Sequence, residues 1–289
     1  MKVLFAYDYP ESGTESVLKE VACGLREQGH EIDLLYTEGG REAGSAAKDL
    51  SLLSYDVAHF WNIRAVLPFK ETIGIPFGVT IHGFVRGAED GYFGSLQELE
   101  PDWIHCMDSF TQHRLGQQRL FATRTAQIID IEGFTPLAAP ENFTMGFTGD
   151  MKDFDGFDIL TEIGVRTNIP MHGHDASLEW IPRDQMSDRF FSKISVFVSW
   201  AFGACGPVTA QEALLCGRPV LATPTETMVQ VLRPGWNGEF FDGSVEDGIR
   251  QLRKIQENYQ SYAENARRTT LNDPAPVIQT FVDKWEELT

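Results

Sequence analysis

Residues 206–238 constrain this chain more than any other stretch, and they read GPVTAQEALLCGRPVLATPTETMVQVLRPGWNG. The spacing predicts a short helix over 209–216, opened by Pro207, whose missing N–H falls where a helix needs none. Gly217 supplies the left-handed residue that ends the helix. PVLA at 219–222 reads as a short buried strand, and Gly235, Asn237 and Gly238 form a turn before Glu239. A helix that begins after a Gly-Pro loop presents free backbone N–H groups and the positive end of its dipole, which suits a phosphate. Glu212, near the start of that helix, can accept both hydroxyls of a ribose while phosphates lie on the N–H groups. Spacing alone leaves a second reading open: an ordinary αβ unit with Glu212 on a solvated face.

The rest of the chain alternates strand and helix patterns. VLFAY at 3–7 reads as a buried strand, and Val17, Leu18, Val21, Ala22 and Leu25 fall at helical spacing until Gly29. IDLLY at 32–36 is the next strand, so the chain opens as a βαβ unit and a parallel sheet is expected. No GxGxxG is present, which sets aside a dinucleotide fingerprint. Further strands are expected at 55–61, 75–81, 101–107 and 126–131, and a helix over 109–121 capped by Ser109. The stretch 86–95, rich in glycine and acidic residues, reads as a flexible lid. His82 follows the 75–81 strand, at the end of the strand where parallel α/β sheets place their sites.

TPLAAPEN at 135–142 is polar, contains two prolines and lacks periodicity, and reads as a linker. Strand and helix patterns resume at 143–148, 157–165, 186–192 and 194–200. A long amphipathic helix is expected over 245–265 and a last helix over 277–288. The expected fold class is α/β, with two Rossmann-like domains at 1–138 and 139–270. The closing segment 271–289 would pack back on the first domain.

Composition narrows the function classes. The 289 residues carry a formal net charge of −18, which disfavours a sequence-independent grip on nucleic acid or on an anionic membrane. The four cysteines form no close CxxC pair, and scattered thiols fit a reducing, cytoplasmic setting. The opening MKVLFAYDYP has too short an apolar run for a signal peptide, and no membrane span is expected. MHGHD at 171–175 has two histidines and an aspartate, but no further cluster completes a ligand set, so no metal is expected.

Glu212-Ala213, Gly217, Pro219-Val220, Ala222, Gly235 and Asn237-Gly238 together resemble the nucleotide-sugar signature of glycosyltransferase family 4, which has the two-domain GT-B fold. Gly13, Glu15, Val21-Ala22, Leu25 and Gly29-His30-Glu31 match that family's N-terminal spacing, and the Thr80-Ile-His82-Gly83 element is similar to one lining its cleft. The resemblance implies a retaining, metal-independent glycosyltransferase without a cofactor. It would move a sugar from a nucleoside diphosphate, UDP- or GDP-linked, to a carbohydrate or other hydroxyl acceptor. It implies that Glu212 holds the ribose. Thr148, Gly149, Gly206, Thr209, Ala210 and His172 would line the donor site, Gly13 and Thr14 the acceptor side, and His82 and Lys152 would act on the reacting groups. The chain departs from the family where Ala204 replaces a donor-sugar glutamate and where Asp150 and Asp155 stand at its arginine and lysine positions. Lys152 is the nearest cation, with Arg218 and Arg233 as further candidates. A chain that keeps the fold and binds the nucleotide sugar without transfer is the alternative.

Overall fold

The computed structural model describes residues 1–8, 13–37, 51–82, 89–129, 133–148, 156–174, 181–200 and 208–289, with the side chains of 13, 14, 89, 90 and 174 left out. It divides into two compact units, one of residues 1–128, 203–205 and 272–289 and one of residues 129–202 and 206–271. The segment 135–142 runs inside the second unit. It is tied there by Leu137 N–H donating to Cys216 O and by Arg218 Nη2 donating to Ala138 O at 2.6 Å.

The first unit is built on a six-stranded sheet in the order β2-β1-β3-β4-β5-β6. Its strands are β1 (Lys2–Tyr7), β2 (Glu31–Tyr36), β3 (Val57–Phe60), β4 (Phe77–Ile81), β5 (Trp103–Cys106) and β6 (Ala122–Arg124), all paired in parallel. Helix α1 (Gly13–Glu27) returns the chain from β1 to β2, and Gly29 ends the return at φ +87°. Side chains of β3 to β5 are buried throughout, as expected of strands covered on both faces. The last helix, α11 (Ala275–Leu288), belongs to this unit although it comes from the end of the chain. Its Phe281 and Trp285 are fully buried beside Phe5, His59 and Trp61.

Three local expectations are corrected here. Residues 89–99 form helix α3 (Glu89–Leu99), not a lid, because Phe93 and Leu96, three apart, are buried in the apolar core. The helix after β5, α4 (Ser109–Gln117), is capped one residue earlier than expected. Asp108 accepts from Thr111 N–H at 2.7 Å, and a charged oxygen is the stronger partner there. The sixth strand pairs at 122–124, ahead of the expected 126–131, where Ile128 and Ile129 are buried outside any strand.

The second unit has a five-stranded parallel sheet in the order β11-β10-β9-β7-β8. The strands are β7 (Met145–Thr148), β8 (Met171–His174), β9 (Val196–Ser199), β10 (Val220–Ala222) and β11 (Gly238–Phe240). The signature stretch folds as expected: helix α7 (Val208–Leu215), Gly217 at φ +73°, then β10. The expected 245–265 helix is two helices, α9 (Val245–Glu257) and α10 (Tyr259–Ala266), with Asn258 between them out of helical conformation. Among the described residues no helix is long and apolar enough to cross a membrane.

Candidate functional site

Sheet order decides where a ligand can sit. In the second unit β8 lies on one side of β7 and the chain then crosses back to β9 on its other side, so the order reverses between β7 and β9. Open α/β sheets bind ligands outside the carboxyl ends of the strands at such a switch. The end of β7 is Thr148, half-buried, and the chain leaving β9 leads into α7. Two of the expected donor residues, Gly149 and Gly206, lie in those connections but outside the described residues, as does Lys152. Thr209 is half-buried in the first turn of α7. Ala210 is fully buried in the core, so only its backbone is positioned to serve a ligand.

Glu212 is not on a solvated face. It is 1% exposed, and it forms an ion pair with Arg183. Arg183 begins a short 3-10 turn (Arg183–Gln185) set by the extended Pro182 before it. Its guanidinium lies over the Phe134 ring at 5.2 Å, and Phe134 packs edge-on against Phe191. Sequence reasoning missed Arg183, because the partner is 29 positions from Glu212 and belongs to no motif. His172 on β8 stacks against Phe190 with ring centroids 5.6 Å apart. The side chain of His174 and residue Asp175, which would complete the MHGHD pattern, are not among the described groups.

The reserve cations are otherwise placed. Arg218 is fully buried and donates from Nε to Phe191 O at 2.8 Å and from Nη2 to Ala138 O, a staple between loops. Arg233 lies over the ring of half-buried Trp236 at 5.2 Å.

In the first unit the order reverses between β1 and β3. Gly13 opens α1, and the side chain of Thr14 is not described. His82, directly after β4, donates from Nε2 to Trp61 O at 3.1 Å, which leaves Nδ1 as the acceptor. Burial pushes its imidazole down to about 4, so it is neutral across physiological pH. Asp8 directly follows β1 at the switch point and was not singled out in the sequence. It is 3% exposed, and its Oδ2 has no hydrogen-bond partner among the described residues. Burial pushes its carboxyl up to about 6, against a weaker pull from Arg64. A folded-state value above the unfolded one means stability is present below about pH 4 and lost as pH rises through 6. Asp8→Asn is therefore expected to stabilise the first unit by about 1–2 kcal/mol at pH 8, the gain shrinking toward pH 4. Urea unfolding at the two pH values measures it, and an equal effect at both would show that burial does not raise the Asp8 carboxyl above its unfolded value.

No protein-family model matches the chain, and no curated protein matches it in sequence. Solved structures do match along its length. HepE from Anabaena, in complex with UDP and glucose, is 15% identical with a TM-score of 0.69, covering 100% of both chains. Sucrose-phosphate synthase from Thermosynechococcus elongatus is 10% identical with a TM-score of 0.71, covering 100% of this chain and 99% of that one. The catalytic domain of starch synthase IV from Arabidopsis thaliana, bound to ADP and acarbose, is 10% identical with a TM-score of 0.72, covering 99% and 98%. The chain thus has the GT-B fold of glycosyltransferases, two Rossmann-like α/β units with a closing helix that belongs to the first.

Proposed function

We propose that this protein is a retaining, metal-independent glycosyltransferase. It would take a sugar from a nucleoside diphosphate, UDP- or GDP-linked, and place it on a hydroxyl of a carbohydrate or other acceptor. The second unit would bind the donor and the first the acceptor. The observation that carries this reading is a buried carboxylate, Glu212, beside the switch point of the second sheet, on the helix that follows β9. A carboxylate that survives burial there needs a use. The ribose diol offers two hydroxyl donors to its two acceptor oxygens. The family-4 resemblance of 212–238 and the full-length GT-B likeness to a UDP complex and an ADP complex support the same reading.

In the proposed reaction the acceptor oxygen forms a bond to the anomeric carbon as the bond from that carbon to the diphosphate breaks. The acceptor proton passes to the departing phosphate oxygen. Neutral His82, with Nε2 donating to Trp61 O, can accept one hydrogen bond at Nδ1, which suits positioning a hydroxyl. Backbone N–H groups at the start of α7, with those of Gly149 and Gly206 and the side chain of Lys152, would meet the leaving charge. Free thiols at Cys23 and Cys216 are compatible with work in the cytoplasm. The alternative, a binder that does not transfer, is favoured by one observation: Arg218 is consumed as a structural staple and cannot serve the leaving group.

Thermal unfolding with UDP, GDP, ADP and TDP tests the donor site. A nucleotide at about 100 times its dissociation constant adds about 2.7 kcal/mol. One of the four is expected to raise the transition of the wild type and to leave Glu212→Ala unmoved. If all four leave the wild type unmoved, the proposal fails. Release of free nucleotide from the matching sugar donor then separates transferase from binder.

A further inference from the structure

Two buried carboxylates of the second unit are satisfied in different ways. Glu239, 3% exposed, accepts from Gly235 N–H at 2.9 Å and from Tyr262 Oη, and pairs with Lys254 at 2.6 Å. These partners close the turn after α8 (Glu226–Val231) and seat α9 and α10 on the sheet edge. Glu212 meets a cation from a different kind of place. The Arg183 side chain is 26% exposed, against 1% for that of Glu212, so the pair joins a buried carboxylate to a partly exposed side chain. The ring of Phe134, itself buried, fixes one face of the Arg183 guanidinium. Pro182 and the 3-10 bond from Gln185 N–H to Pro182 O at 2.9 Å fix the backbone beneath it.

A carboxylate this deep takes up a proton unless a cation compensates it. A protonated carboxyl is a poor acceptor for two hydroxyls. We propose that Arg183 is a positioning residue of the donor site, holding Glu212 as an aimed carboxylate for the ribose diol of a nucleoside diphosphate. The inference rests on the reading of Glu212 given above. Cys216, one turn further along, is a further titratable group beside Glu212. Burial pushes its thiol up to about 12, so it stays neutral and does not complicate the titration.

Two readouts separate this role from simple packing. The first needs no ligand. Wild-type stability is expected to be independent of Glu212 between pH 5 and 8. In Arg183→Met the folded carboxyl lies above its unfolded value, so stability falls as pH rises through that window. The fall should vanish in the double variant Arg183→Met with Glu212→Gln, and Arg183→Lys should restore the wild-type profile. The second readout is titration of the nucleotide selected in the thermal screen. Arg183→Met is expected to bind at least tenfold more weakly at pH 6 and to recover several-fold by pH 8.5, with Arg183→Lys within about threefold of wild type. A loss of the same size at every pH, or a flat ligand-free profile in Arg183→Met, would overturn the positioning role. Full nucleotide affinity in Glu212→Gln would instead remove the ribose reading, while the ligand-free profile would still decide whether Arg183 keeps Glu212 charged.

Discussion

Phe281→Ala is expected to cost the first unit about 3–5 kcal/mol, the range for emptying a fully buried aromatic site. Phe281 is at the centre of an aromatic cluster whose other members, apart from Trp285 on the same helix, come from elsewhere in the unit. Its ring lies 4.9 Å from those of Trp103 and His105, 5.2 Å from His59 and 5.7 Å from Trp61 and Trp285. Aromatic pairs add to the burial of apolar area, and the surrounding rings cannot close the gap because His59 is anchored on β3 and Trp103 and His105 on β5. The measurement is urea unfolding followed by tryptophan fluorescence, since Trp61, Trp103 and Trp285 all border the site. A loss below about 1 kcal/mol would mean that the closing helix is not seated on this sheet.

Acid is expected to unfold the first unit well before the carboxylates of the surface are titrated. His59, Thr80, His105 and Thr125 form a buried chain of hydrogen bonds at 2.7, 3.0 and 2.8 Å. Thr125 Oγ1 donates to Ala126 O, so His105 must donate to it from Nε2 and accept from Thr80 at Nδ1. Thr80 in turn accepts from His59 Nε2, and both imidazoles are neutral. A proton added to His59 would sit on Nδ1, which has no partner among the described residues and faces the backbone of Gly78, where even a Cβ would come within 2.6 Å. Burial holds His59 far below its ordinary value and His105 at about 3, each reinforced by a neighbouring imidazole.

The sign follows from those directions. The unfolded chain takes up protons below about pH 6.5 that the folded chain refuses. Stability is therefore present above that pH and lost as pH falls. Between pH 7.5 and 5 the two fully buried histidines should remove about 4 kcal/mol together. His105→Gln keeps an acceptor for Thr80 and a donor for Thr125, and should cut that loss by about half. Equal stability at pH 7.5 and 5 in the wild type would show that these imidazoles are charged, or hydrated, in the folded protein.

Much of this architecture was legible residue by residue. The period-3.6 pattern of Val17, Val21 and Leu25 and the run at 3–7 give the first βαβ unit. Pro207 and Gly217 bracket the one helix on which Glu212 rides. Those features depend on neighbours within a few positions, where backbone sterics and hydrogen bonding act directly. Phe93 and Leu96 were hidden by the glycines around them, which read as loop although Gly91 and Gly94 simply face open space. Asp8 was hidden because a single carboxylate after a strand has no spacing to betray it.

What the sequence determined by itself is therefore the alternation of strand and helix, the parallel class of both sheets and the one carboxylate that the signature stretch sets on α7. Only the tertiary structure decided that β7 and β9 lie side by side, that Glu212 is buried against Arg183, and that the polar segment 135–142 belongs to the second unit. It also decided that histidines 46 positions apart share one hydrogen-bonded core at His59 and His105. The physical reason is the same in each case. Local conformation is set by each residue's own backbone preferences. Burial and charge pairing depend on which distant surfaces exclude water from one another, and no short window of the chain encodes that.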